Sequence, residues 1–244
     1  MYEQSQLDVS IVLPCYMEEA SIAIGVSKIF EEMKKTQRRF EIIFVDDAST
    51  DNTRKEIIKA AEKYPDISYI FQNTNTGRGQ AFVNGARTAR GRIIGYLDID
   101  LEISVSSLPK VIHEIDSGKD VAIVRRNFSN EWSPSFLARH LASIIYRWLV
   151  SFVLDIPQLD TETGFKFFRR EPLFQLLEKA ESQGWFFDTE IMCLAYHGKL
   201  KISQVDGEYK KNSKKISTVH LFSDGTKQLI QLIRYKKKLK YFLN

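Results

Sequence analysis

The stretch Ile93-Ile-Gly-Tyr-Leu-Asp-Ile-Asp-Leu-Glu102 runs from uninterrupted apolar residues straight into Asp98, Asp100 and Glu102. An apolar run closed abruptly by polar residues fits a strand covered on both faces, as in the middle of a parallel sheet. Open α/β sheets bind ligands beyond the carboxyl ends of their strands, which is where these acids arrive. Side chains two apart on extended chain point the same way, so Asp98 and Asp100 can converge on one point. Carboxylates that close repel unless a cation lies between them, and hard oxygen donors suit Mg²⁺ or Mn²⁺. The plainer alternative is a helix start, with Asp98 or Asp100 as its cap and the other acids on a solvated surface. The rest of the chain decides between them.

With 244 residues, 43% of them hydrophobic, the chain can bury a full core, as one large α/β domain or one domain with an elaboration. Two cysteines, Cys15 and Cys193, make no disulfide framework and suit a reducing compartment. Met1 to Asp8 carries no signal-peptide pattern. No apolar run reaches the roughly 18 residues that span a bilayer, and the longest candidate, Leu141 to Leu154, contains Arg147. A cytoplasmic protein, soluble or peripheral to a membrane, is therefore expected. The net charge of +4 is unevenly spread: from Tyr209 onward, ten lysines and arginines face Asp224 alone. A basic end on a mildly acidic body points to an anionic partner for that end.

In chain order, short apolar runs at Val9 to Leu13, Phe40 to Val45, Ile67 to Phe71 and Arg92 to Leu97 predict strands. Between them, helical periodicity covers Ser21 to Lys35, Thr53 to Lys63 and Gln80 to Ala89, with Asn75 to Gly79 as a loop. That alternation predicts βαβ units and a parallel sheet. Farther on, Ser106 to Asp116 predicts a helix, Asp120 to Val124 a strand, Arg125-Arg126-Asn127 a loop, and Pro134 to Leu154 a long helix. Asp160 to Glu171 runs from a polar loop into a strand; Pro172 to Ala180 and Thr189 to Tyr196 predict helices, and Lys201 to Val205 a last strand. The looser alternation there predicts an α+β elaboration on the C-terminal half of an α/β fold.

Four polar clusters follow strands: Pro14-Cys-Tyr-Met-Glu18, Asp46-Asp-Ala-Ser-Thr-Asp51, Asn75 to Gln80, and Asp98 to Glu102. In a parallel sheet all four share one edge. The first lacks Gly-x-Gly-x-x-Gly, so a dinucleotide pyrophosphate is not cradled there in the usual way. Asp46 can instead accept from a nucleobase N–H, and Tyr16 can lie against a ring. Gly77 and Gly79 flank Arg78, which permits close backbone approach beside a cation for phosphate. Ser49 or Asp51 can also cap the helix that starts near Thr53. His113, His140, His197 and His220 show no ligand spacing, and Cys15 lacks a visible base partner.

Together these pieces resemble family 2 glycosyltransferases of the GT-A fold, through Val12-Leu-Pro-Cys-Tyr-Met-Glu18, Val45-Asp-Asp-Ala-Ser-Thr-Asp51, Gly77-Arg-Gly-Gln-Ala81 and Leu97-Asp-Ile-Asp-Leu-Glu102. Asp160 to Glu171, with Gly164-Phe-Lys-Phe-Phe-Arg-Arg, and Phe187-Asp-Thr-Glu190 are similar to the dolichol-phosphate mannosyltransferase branch and its bacterial glucosyl relatives. The resemblance covers roughly residues 9 to 215, with a nucleotide-sugar half to about residue 102 and an acceptor half beyond it. It implies transfer of a hexose from a nucleotide sugar (GDP-mannose or UDP-glucose type) to a polyprenyl or dolichyl phosphate with inversion. On this resemblance Pro14, Tyr16, Glu18 and Asp46 hold the nucleoside, and Asp47, Arg78, Gly79, Asp98 and Lys214 complete the donor site. Asp98 and Asp100, with Glu102 as an added ligand, hold Mg²⁺ or Mn²⁺. Asp160 orients or deprotonates the acceptor, with Asp188 and Glu190 as second choices. Arg126 and Arg139 cage an acceptor phosphate, which needs little base because its second pKa is near 6. The branch usually has a small residue where this chain has Ile99, Gln where it has Glu102, and Gln or a small residue where it has Glu162.

Residues 216–244 form a basic amphipathic end. Leu229, Leu232, Tyr235, Leu239 and Phe242 share one helical stripe, and Arg234, Lys236, Lys237, Lys238 and Lys240 crowd the rest. Such a helix suits an anionic membrane surface, or docks on the body. A lipid-linked acceptor and a separate transmembrane partner fit the first reading; nothing indicates nucleic acid. The rivals are transfer to a sugar or glycolipid hydroxyl, a sugar-1-phosphate nucleotidyltransferase, and a non-catalytic sugar-nucleotide binding module.

Overall fold

A computed structural model describes residues 7–128, 134–210 and 221–243, with side chains in 128–140, 142, 221–227 and 240–243 left aside. Its elements run β1 (Val9–Cys15), α1 (Ile22–Thr36), β2 (Phe40–Asp46), α2 (Thr53–Lys63), β3 (Ile67–Phe71), α3 (Arg78–Thr88) and β4 (Ile93–Leu97). A 3-10 turn, Val105–Ser107, leads into α4 (Leu108–Asp116), β5 (Val121–Phe128) and α5 (Pro134–Leu154). The chain closes with β6 (Phe165–Arg169), α6 (Arg170–Leu177), α7 (Phe187–His197), β7 (Ile202–Tyr209) and α8 (Leu221–Leu243).

The strands form one seven-stranded sheet in the order β3-β2-β1-β4-β6-β5-β7. Among them β6 alone runs against its neighbours, pairing antiparallel with β4 and β5. Alternate side chains leave opposite faces of each strand, so the sheet feeds two cores. Ile11, Leu13, Ile42 and Phe44 enter the core under α1, α2 and α4, while Val12, Ile43 and Val45 enter the core under α3, α6 and α7. β6 obeys the same rule: Phe165 and Phe167 go one way and Phe168 the other.

Two expectations are corrected here. Arg125-Arg126-Asn127 is strand, not loop, because β5 pairs in parallel register with β7 from Val121↔Ile202 to Phe128↔Tyr209. The middle of the apolar stripe of the C-terminal helix is not offered to lipid, although Leu229 stays 39% exposed. Leu232, Tyr235 and Leu239 are buried against Val150, Leu154, Phe186 and Cys193 in a third core between α5, α7 and α8. The rings of Phe186 and Tyr235 meet edge to face at 5.5 Å. Among the described residues, no helix is long and apolar enough to cross a membrane.

Candidate active site

The four polar clusters lie at or just beyond the carboxyl ends of β1, β2, β3 and β4, adjacent parallel strands on one sheet edge. The backbone there is strained. Among the described residues six non-glycines have positive φ, and Gln37, Asp155 and Lys199 follow helix ends, where a left-handed residue is ordinary. The other three, Met17 (φ 59°), Ala48 (φ 63°) and Leu101 (φ 52°), sit in the loops after β1, β2 and β4. Among the described residues, strain that no cap explains thus lies at the edge where the clusters meet.

Pro14 ends β1 half-buried, and Tyr16 is 46% exposed, its ring open to a flat partner. Glu18 accepts from the Ser21 hydroxyl at 2.9 Å, and its own N–H donates to the Thr53 hydroxyl at 2.8 Å. Asp46 is fully buried; its Oδ2 accepts from Arg54 Nε at 2.6 Å and its carboxylate also receives the Ser49 N–H. Arg54 in turn lies over the Phe71 ring. Asp47 receives the N–H groups of Thr76 (2.7 Å) and Gly77 (2.8 Å) and the Gln72 side-chain amide (2.6 Å), so it shapes the loop that presents Arg78. Gly79 serves packing: a Cβ there would lie 2.5 Å from Cβ of Phe187, so its absence lets α3 close on α7.

Arg78 is the hub of the site. Its Nε and Nη2 reach Asp98 Oδ1 at 3.0 and 2.9 Å, and its Nη1 pairs with Asp188. Asp188 also accepts from Tyr96 Oη at 2.5 Å and from Lys166 Nζ at 2.6 Å, and Lys166 donates as well to the Thr163 carbonyl. Two cations, two carboxylates and a phenol therefore form one neutral cluster at the end of β4. Burial lowers the Lys166 pKa, and Asp188 restores part of that loss while Arg78 deepens it. Burial raises Asp98 to about 6, against the pull of Arg78 and with the push of Asp100 and Asp188; its side chain stays 42% exposed, so solvent tempers the effect. Gly164 closes the roof, since a Cβ there would fall 1.8 Å from Asp98 Oδ2.

The acceptor-side residues form a second ionic group. Arg126 holds Asp160 through Nε at 2.9 Å and Nη2 at 2.7 Å, and its backbone N–H adds a bond of 3.0 Å. It also reaches Glu162 Oε2 at 3.4 Å. Burial works to raise Asp160, but the charge and hydrogen bonds of Arg126 outweigh it and hold the group below its ordinary value. For Glu162 burial wins over Arg126, helped by Asp160, and the carboxyl is raised. Asp188 is bonded on all sides by Arg78, Lys166 and Tyr96. Glu190 is buried and receives the N–H groups of Glu181 and Ser182, so it fixes the turn before α7. Lys214 and the side chain of Arg139 lie outside the described residues.

Asp98 and Asp100 fit a divalent ion by their donor chemistry: they are two hard carboxylate groups on one strand end, one with its pKa raised partly by the other. Glu102 accepts from Tyr209 Oη at 2.9 Å and ties its loop to the end of β7. Among the described residues no three acids, histidines or cysteines converge as a closed cage.

Sequence reasoning missed Arg54, Lys166 and Glu162 as members of these groups. Lys166 carried a signal: a lysine alternating between Phe165, Phe167 and Phe168 in an apolar strand demands a buried acid.

The family model for glycosyl transferase family 2 matches residues 10–177. A dolichyl-phosphate beta-glucosyltransferase of Trichomonas vaginalis is 28% identical over 227 residues, covering 86% of this chain and 68% of that protein. The dolichyl-phosphate beta-glucosyltransferase of Saccharomyces cerevisiae is 28% identical over 224 residues, covering 83% of this chain and 67% of that one. Among solved structures, glucosyl-3-phosphoglycerate synthase from Mycobacterium tuberculosis, with Mn²⁺, UDP and glucosyl-3-phosphoglycerate bound, gives a TM-score of 0.69 at 17% identity. That match covers 94% of this chain and 80% of the other, and it carries the fold, GT-A.

Proposed function

The chain belongs to glycosyl transferase family 2, and from that premise we propose that it moves a hexose from a nucleotide sugar to a polyprenyl or dolichyl phosphate at the cytoplasmic face of a membrane. The curated relatives that span most of the chain, named for dolichyl-phosphate glucosylation, support that acceptor class. The observation in the site that carries the reading is the state of its acids. Asp160 is taken by Arg126, Asp188 by Arg78 and Lys166, and Glu190 by backbone N–H groups. A phosphate acceptor is already an anion near neutral pH and needs no strong base, whereas a hydroxyl does.

On the donor side, Tyr16 and the loops after β1 and β2 receive the nucleoside, and Arg78 holds Asp98 in place beside it. Asp98 and Asp100 would hold Mg²⁺ or Mn²⁺, and the ion supplies neutralisation of the charge that grows on the leaving diphosphate. The transition state is oxocarbenium-like, and cationic charge at the departing diphosphate would stabilise it. Attack from the acceptor side, opposite the diphosphate, inverts the anomeric centre.

One observation favours the hydroxyl-acceptor alternative: Glu162 is a carboxylate with a raised pKa in the acceptor half. The test is direct. Purified protein is given UDP-glucose or GDP-mannose with a short-chain polyprenyl phosphate or the matching polyprenol, each with Mn²⁺ and with EDTA. Transfer to the phosphate alone, lost with EDTA and in Asp100→Asn, is the expected result. Transfer to the free alcohol at the same rate moves the assignment to the hydroxyl reading.

A further inference from the structure

The outer side of α5 is apolar without interruption. Leu141, Ile144, Ile145, Trp148 and Phe152 recur at helical spacing and fall within about 100° of one another around the axis. All five are exposed: Phe152 by 74%, Ile145 by 65% and Trp148 by 57%. Trp148 and Phe152 stack on each other, with ring centroids 5.6 Å apart. The opposite side of the same helix carries Val150 and Leu154, buried in the third core. So α5 has an inner face that builds the third core and an outer face equally apolar that builds nothing within the described residues. Single exposed apolar residues are ordinary, but a stripe of five with two stacked aromatics on one helix is a docking surface.

The neighbouring helix says what docks. On α8 the side away from the core interleaves Ile230 and Ile233, each 50% exposed, with exposed Arg234 and Lys237. Apolar and cationic side chains sharing one helix face match a bilayer surface, where hydrocarbon lies under anionic headgroups. Trp148, with an apolar body and a polar N–H, suits the boundary between the two. A second copy of the chain is a poorer occupant, because a two-fold contact through this region would bring the α8 cations of both copies together.

We infer that the outer face of α5 and the exposed face of the adjoining α8, with Ile230, Ile233, Arg234 and Lys237, together form the surface by which the protein sits on an anionic membrane. The Leu232-Tyr235-Leu239 stripe takes no part in this contact, being inside the molecule. The inference deepens the lipid-linked acceptor reading and rests on it only in naming a bilayer that holds such an acceptor.

The experiment is co-sedimentation of the full chain with vesicles of phosphatidylcholine alone or enriched in phosphatidylserine, without donor or acceptor. The wild type is expected to pellet with the anionic vesicles and to be released by salt. Ile145→Gln/Phe152→Gln should lower partitioning at least about tenfold, and Arg234→Glu/Lys237→Glu should do so on the anionic vesicles. Both variants should keep the wild-type circular dichroism, melting temperature and transfer to a water-soluble short-chain acceptor, since these side chains face solvent. A wild type that stays in the supernatant with every vesicle overturns the inference. So does an α5 variant that pellets like wild type, or a wild type that is a dimer in solution and becomes monomeric in that variant. If the wild type binds vesicles but glycosylates no polyprenyl phosphate, the surface stands and the acceptor reading falls.

Discussion

Asp160 and Glu162 are two residues apart and share Arg126, yet their surroundings push their proton affinities in opposite directions. Asp160 is held ionised, so its part in folding follows a definite pH course. The unfolded chain binds more protons at low pH than the folded one; stability from the Arg126 pair is therefore complete above roughly pH 4 and is lost as pH falls through the lower folded value. Glu162 behaves oppositely, and its raised carboxyl is what a general base would need. With a phosphate acceptor, Glu162→Gln should keep kcat within about tenfold of wild type, or raise it, because an anion beside an incoming anion is removed. With a hydroxyl acceptor the same change should cost about 10²–10⁴-fold. It should also abolish the acid limb of the pH profile, which falls as Glu162 gains its proton. Steady-state rates over pH with both acceptors decide between them. Asp98 and Asp100 were readable as a pair because they are neighbours in the chain. The partners of Asp188 were not: Arg78 and Tyr96 lie 110 and 92 residues away in sequence, and a folded sheet has to bring them together.

Loops and caps set the next scale, and here strain separates function from architecture. Gln37 (φ 54°) ends α1 in the left-handed region on the exposed surface, and Ala48 (φ 63°) holds the same conformation in the loop after β2. Glycine takes that backbone without the Cβ penalty, so Gln37→Gly and Ala48→Gly should each stabilise by about 1 kcal/mol, roughly 2–4 °C in Tm. Their effects on function should part. Gln37→Gly should leave donor binding unchanged, and Ala48→Gly should raise KM for the nucleotide sugar by freeing the loop between Asp47 and Ser49. Calorimetry with donor titrations checks both. Equal loss of affinity in the two variants would refute the claim that strain at the sheet edge is functional. Where periodicity was clean, boundaries read from the chain coincide with the structure, as at Thr53–Lys63, Ile67–Phe71 and Pro134–Leu154. β5 was readable only to Val124, because Arg125 and Arg126 look like loop until β7 pairs with them and their charges find Asp206 and Asp160. The reversed direction of β6 left no local signal, since an apolar strand reads alike either way.

At the scale of the whole molecule, the C-terminal helix changes from an appendage to a wall. Its amphipathic pattern was legible, but which surface the stripe meets is a tertiary matter: α5 and α7 present Val150, Leu154, Phe186 and Cys193, and the stripe closes over them. Fully burying a side chain of this kind contributes about 1.5–3 kcal/mol, so Leu232, Tyr235 and Leu239 together rival the 5–15 kcal/mol net stability of a typical domain. Removing residues from Lys227 onward should therefore unfold or strongly destabilise the protein, and loss of vesicle binding in such a truncation would report that collapse. Cys193 supplies the readout. Under Tyr235 it is fully buried, and burial raises its thiol to about 12, so it should resist thiol reagents at neutral pH in the intact chain. In a shorter truncation that keeps Leu232 and Tyr235 but ends before Leu239, labelling of Cys193, mapped by mass spectrometry, should accelerate and Tm should fall. Unchanged labelling and Tm would mean that α8 rests on the body without holding it. The donor site, built on β1 to β4 at the other end of the chain's order, should then lose affinity only as far as the fold as a whole gives way.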